Sequence, residues 1–216
     1  MSIYADERAR ATSQTTAIFG QVMLLVGVAI AFLAVGSLIG RDLAPGTATI
    51  LGFVAIGMIF AQSFVRPLRA GPVGMLWLFA AALILGIGLG PVLNEYVQSD
   101  PEAITQAAAG TALAVLLMGA IGLATSKDLS RWIRPLSFAM LGLFGISLVL
   151  LLVGGAGSPL LSIAVILVSC ALLVVDFNYV RKRATEDDIV WLATGIFVSI
   201  VNIFLSLLSL FGGGRR

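Results

Sequence analysis

The chain alternates between long apolar runs and short polar breaks. Seven runs come close to or exceed the roughly 20 residues that a helix needs to cross a hydrocarbon core. They cover 17–39, 47–64, 73–93, 103–124, 136–153, 159–177 and 189–211. The breaks carry residues that stop or start helices: Pro45-Gly46, Arg66-Pro67, Gly71-Pro72, Asp100-Pro101 and Gly154-Gly155. No break is long enough to hold a soluble domain. The pattern predicts an all-α polytopic membrane protein, with seven transmembrane helices in one membrane domain over 17–211 and tails at 1–16 and 212–216. The first run exceeds the roughly 7–15 residues of a signal-peptide core, so it reads as a span.

Charge sets the expected orientation. A cytoplasmic N-terminus puts Arg8, Arg10, Arg66, Arg69, Lys127, Arg131, Arg134, Arg181, Lys182 and Arg183 on the inner side. Only Arg41, Arg215 and Arg216 then fall outside, which satisfies the positive-inside rule with the N-terminus in and the C-terminus out. The acidic stretch 94–102, with Glu95, Asp100 and Glu102, also falls outside. Trp77, Trp132 and Trp191 lie near helix starts, and Tyr96 and Tyr179 just past helix ends, as interfacial anchors do.

Composition agrees and narrows the chemistry. The chain is 59% hydrophobic and 11% charged, with a mean hydropathy of +1.07. A soluble domain is about 25% charged. The net charge of +2 gives no basis for nucleic-acid binding, and the lipid bilayer is the expected surrounding. There is no histidine, which removes Ser-His catalysis and His metal ligands. The single cysteine, Cys170, has no partner in the chain for a disulfide and reads as a packing residue. No lysine lies within a run and no second acid within a run pairs with Asp176, so no enzyme is expected. No cofactor is expected, and no metal site is assigned.

Of eleven acidic residues, ten lie in tails, breaks or helix ends. Asp176 is the exception, near the end of the sixth run and just before Arg181-Lys182-Arg183. A charge at the centre of a membrane helix costs roughly 2.5–3.5 kcal/mol on insertion scales, and less near the interface. Two readings stay open: the acid snorkels or pairs with an arginine, or it lines a polar cavity. Spacing favours the cavity. Ser162, Ser169 and Asp176 recur every seven residues on one face of the sixth run. Gly195, Ser199, Asn202, Ser206 and Ser209 form a fuller stripe on the seventh, at steps of four and three. Such a seam faces protein rather than lipid. Gly86, Gly88 and Gly90 read as close helix packing, and so do Gly142 and Gly145. Arg66 and Arg69, at the inner end of the second run, are candidate counter-ions for Asp176.

These residues together resemble the Bax inhibitor-1 family (the TMBIM group, with its bacterial YccA-like members). Asp176-Phe-Asn178 resembles the family's Asp-Thr-Gln, and Glu186-Asp187-Asp188 its acidic approach to the last helix. Phe197-Val-Ser199-Ile-Val-Asn202-Ile-Phe-Leu205 resembles Tyr-Leu-Asp-Ile-Ile-Asn-Leu-Phe-Leu. Ala124-Thr-Ser-Lys-Asp128-Leu-Ser130 resembles Thr-Lys-Lys-Asp-Leu-Ser.

The resemblance implies a pH-sensitive calcium leak in a bacterial inner membrane, with Ca2+ as the transported ion. It implies an ion path and proton sensor at Asp176, Ser199 and Asn202, a cationic latch at Arg66 or Arg69, and motif positions Asn178, Asp187 and Asp188. One departure matters. Ser199 stands where the family carries a second carboxylate. Two neighbouring carboxylates titrate as a coupled pair, and one Asp beside a Ser cannot, so blunter pH gating is expected. Calcium takes about 6–8 oxygen ligands, so a site built on one acid is weak. The alternative implied by the resemblance is a regulatory protein that binds membrane-protein partners, such as a membrane-bound protease.

Overall fold

The structure is a computed structural model that describes residues 2–152 and 158–213. Its helices are α1 (Ser2–Gly40), α2 (Pro45–Phe64), α3 (Gly71–Ser99), α4 (Pro101–Ala124), α5 (Ile133–Leu152), α6 (Pro159–Lys182) and α7 (Ile189–Gly213). Short 3-10 turns lie at Arg66–Leu68, Ser130–Trp132 and Glu186–Asp188. Among the described residues there is no strand, and seven helices are long and apolar enough to cross a membrane. The expected end of the fifth run at Val153, the Gly154-Gly155 break and the tail arginines Arg215 and Arg216 lie outside the described residues.

The helices outrun the apolar runs that announced them. Hydropathy marks the part of a helix that sits in hydrocarbon, whereas backbone hydrogen bonding continues until a stop signal. The helix α1 starts at Ser2, so the backbone of the expected tail is helical; its Ala5, Glu7, Arg8, Ala9, Arg10 and Ala11 all favour helix. Residues 94–99 extend α3 rather than forming a loop. Only Asp100 is left between α3 and α4, where it caps α4 by accepting from Ala103 N at 3.2 Å. Three helices open on proline, Pro45, Pro101 and Pro159, where the missing N–H is not needed. The helix α7 runs on past 211 to Gly213.

The chain forms two compact units, Met1–Leu93 with Val180–Thr194 and Asn94–Tyr179 with Gly195–Arg216. In the first unit α1 buries Ile18, Val22, Leu25, Val26 and Ala29, which is one helical stripe. Glycine lets its helices approach closely. A side chain added at Gly36 or Gly40 of α1, or at Gly86 or Gly90 of α3, would overlap backbone atoms of the other helix. Gly88 turns instead to α2, where an added Cβ would come within 2.7 Å of Gly52 N. The three glycines of one short stretch thus serve two neighbours. Pro91 leaves the carbonyl four residues back, that of Ile87, without its helical donor. That same carbonyl is the one against which Gly40 packs.

A polar knot closes the α2–α3 corner of the first unit. Gln62, buried, donates from Nε2 to Leu68 O at 2.8 Å, and Arg69 Nε donates to Gln62 O at 3.1 Å. Gly71 follows with φ of +67°, a conformation that glycine adopts without strain. Trp77 does more than anchor at a headgroup: its Nε1 donates to Met58 O at 2.8 Å. The start of α7 is capped by Asp188, which accepts from Thr185 N at 3.0 Å and from Thr185 Oγ1 at 2.8 Å.

In the second unit the core gathers Leu173, Val175 and Phe177 of α6 with Ile196, Phe197, Val201 and Ile203 of α7. Here too glycine sets a close approach. A Cβ at Gly122 would lie 2.5 Å from Val174 O and 2.9 Å from Phe177 Cβ, so the backbones of α4 and α6 approach closely there. The ring of Phe177 also covers Gly119. The expectation for Gly142 and Gly145 fails: an added Cβ at either would meet nothing within 4 Å. Both lie on α5, whose apolar window is only 6% buried, so spacing alone did not bring a neighbour to them.

Candidate functional site

The site forms in the second unit, where α6 and α7 meet. Asp176 lies six residues before the end of α6, about 9 Å along the axis. It is 6% exposed. Its Oδ2 would stand 3.2 Å from a Cβ placed on Gly195, so the acid of α6 faces the glycine of α7. The glycine matters, because any side chain there would press on the carboxylate.

The polar stripe of α7 is largely enclosed. Ser199 is 2% exposed and Asn202 9%, with Ser206 also buried. Ser209 is exposed and departs from the expected seam. Asn202 Nδ2 donates to Met140 Sδ of α5 at 3.7 Å, a weak bond. On α6, Ser169 is fully buried, and its hydroxyl oxygen has no hydrogen-bond partner. A polar group left this way costs about 1–3 kcal/mol. Sequence reading put Ser169 on the right face but not among the site residues, because a lone serine in an apolar run carries no warning of being unpaired.

Asn178 has a different task. It is fully buried and faces away from Asp176, since two residues turn a helix by about 200°. Its Oδ1 accepts from Leu129 N at 2.9 Å. Its Nδ2 donates to the carbonyls of Gly122 at 3.2 Å, Thr125 at 3.1 Å and Lys127 at 3.1 Å. One amide therefore satisfies the frayed end of α4 and the loop that follows it. The motif around Asp176 thus pairs a buried acid with a fully engaged amide.

The remaining expected residues are scattered. Asp188 caps α7, and Asp187 is exposed. Arg66 and Arg69 are exposed residues of the first unit, and Arg69 is engaged with the Gln62 carbonyl. Among the described residues no three of His, Cys, Asp or Glu gather as a metal centre. What the second unit offers is one buried carboxylate inside a membrane span, facing the polar stripe of α7 at Gly195.

Among the described residues, seven helices long and apolar enough to cross a membrane, no strand and a buried acid facing a glycine define a polytopic helical membrane protein. The chain belongs to the family described as Inhibitor of apoptosis-promoting Bax1, which matches residues 15–216. It is 30% identical over 196 residues to an uncharacterized membrane protein of Vibrio cholerae, covering 88% of this chain and 84% of that one. It is 33% identical over 155 residues to an uncharacterized protein of Pseudomonas aeruginosa, 67% of this chain and 66% of the relative. It is 30% identical over 155 residues, 67% of each chain, to the Escherichia coli protein named Modulator of FtsH protease YccA. The YccA of a second E. coli strain is named an inner membrane protein. The chain is accordingly a multi-pass protein of a bacterial inner membrane.

Proposed function

We propose that the protein passes cations, with calcium as the transported ion, along a gated path centred on Asp176. The observation that supports this reading is the carboxylate itself. It is buried in a span and faces the glycine of α7 at Gly195. An ionisable group in such a place marks an ion or substrate pathway by default. A lone carboxylate falls far short of the 6–8 ligands of a tight calcium site. Weak coordination suits conduction, since an ion that enters must also leave. With Ser199 in place of a second acid, gating by pH is blunt. The N-terminus lies in the cytoplasm and the C-terminus outside in this reading.

The test is calcium entry into liposomes that hold the purified protein, read below and above neutral pH. Wild type leaks, and Asp176→Asn leaks about tenfold less, equivalent to about 1.4 kcal/mol of lost cation attraction. Ser199→Asp restores the coupled pair and steepens the pH response. If wild type and both variants are equally tight, the cation path is wrong.

Gly195→Ala offers an independent check in the same assay. Its Cβ would sit 3.2 Å from Asp176 Oδ2 and must push the acid aside by a few tenths of an ångström. The obstacle is a movable side-chain tip, so stability should change by less than about 1 kcal/mol. Calcium leak should fall several-fold. An unchanged leak would mean that ions do not pass between Gly195 and Asp176.

A second reading is carried by the relative named as a modulator of the FtsH protease. On that reading this chain acts by binding a membrane-bound protease. Asp176→Asn is then tolerated, and changes in 1–16 or in the 125–129 loop abolish co-purification with the partner.

A further inference from the structure

Among the described residues, Ser169 Oγ is the buried side-chain polar atom left without a partner. Hydroxyls in membrane helices commonly donate to a carbonyl one turn back. Thr111, Ser147 and Thr194 do so at 2.7–2.9 Å. Ser169 does not, although it lies in the middle of α6 and is fully buried. Its hydroxyl therefore calls for a ligand.

What stands opposite follows from helix geometry. Asp176 faces Gly195 across the seam. Seven residues bring an α-helix back to within about 20° of the same face and about 10.5 Å along its axis. Seven back from Asp176 on α6 is Ser169. Seven on from Gly195 on α7 is Asn202. The short 183–188 connection makes the two spans antiparallel, so both steps lead in the same direction. Ser169 and Asn202 share one level of the seam, about 10 Å deeper than the acid. Asn202 is itself buried, and its Nδ2 donates to a methionine sulfur.

We infer that Ser169 and Asn202 form a second oxygen station on the seam, which takes a partly hydrated cation released from the Asp176 carboxylate. This rests on the cation-path reading above. A hydroxyl oxygen and an amide carbonyl hold a cation through lone pairs without opposing charge. The station is therefore weaker than the carboxylate, and a succession of weak sites is what passage requires.

The test uses the full chain in liposomes, in a Cys170→Ala background, with a cationic membrane-impermeant methanethiosulfonate reagent. Ser169→Cys replaces one small side chain by another. Leu167→Cys, on the exposed apolar surface of the same helix, is the reference. Thiols react as thiolates, which need water. The Ser169→Cys thiol should react at least about tenfold faster than the Leu167→Cys thiol, and added calcium should slow it several-fold. Ser169→Ala should conduct several-fold less calcium with Asp176 intact. An inert Ser169→Cys thiol in a protein that still leaks calcium overturns the station and leaves the Asp176 path standing. A reactive thiol in a protein that passes no calcium overturns the path, and removes the cation as this station's ligand.

Discussion

Asn178→Ala should destabilise the protein by about 3 kcal/mol, because it strands buried backbone groups at about 1–3 kcal/mol each. The side chain is fully buried and makes four hydrogen bonds across roughly fifty residues of sequence. Alanine leaves the Gly122 carbonyl buried with one partner fewer, and releases Leu129 N, Thr125 O and Lys127 O. Water reaches part of the loop and softens the loss, which is why the estimate stays below the sum of the groups. For a chain of this size such a change lowers the unfolding temperature by about 6–12 °C. Heating in detergent, followed by size-exclusion recovery, reads it directly. Asn178→Asp should be at least as damaging, since it keeps the acceptor for Leu129 N but turns oxygen toward three carbonyls. Asp176→Asn, two residues away, replaces one oxygen by an amide nitrogen of nearly the same shape and should cost less than about 1 kcal/mol. If Asn178→Ala is as mild as Asp176→Asn, the clamp described here does not hold the loop.

Gly86→Ala should be comparably severe for a different reason. The new Cβ would overlap the Leu33 carbonyl oxygen and sit 2.9 Å from Leu33 C and Cα. Overpacking usually costs about 1–3 kcal/mol, and the upper end applies when the obstacle is backbone that no rotamer change can clear. The helices α1 and α3 would have to separate, and close approach of backbones is the main attraction between helices in lipid. Gly142→Ala is the matched control. Nothing lies within 4 Å of its added Cβ, so it should be neutral or gain up to about 1 kcal/mol of helix propensity. Equal effects of the two changes on thermal recovery would refute the packing account.

Those two glycines show where sequence reading stops. Gly86 with Gly90 and Gly142 with Gly145 both look like close-packing surfaces, because small residues at helical spacing define a smooth face. A face is a property of one helix, whereas packing needs a neighbour, and only the first pair has one. The acids and amides behave the same way. Asp176 and Asn178 stand two apart in one motif, and their types alone suggest a shared role. The turn of the helix sends one toward α7 and the other to the end of α4, so one faces Gly195 and the other is bonded four times.

The sequence by itself determined that this is a seven-helix membrane protein, because burial in hydrocarbon demands apolar runs of a set length that composition cannot hide. It also determined which faces of α6 and α7 are polar, since helical periodicity is local. The tertiary structure alone decided which helix each face meets, that Gly195 stands before Asp176, that Ser169 is left without a partner and that Asn178 ties down the 125–129 loop. Those outcomes depend on contacts between residues far apart in the chain. Such contacts are fixed by the fit of whole helices against one another, which no single stretch of residues encodes.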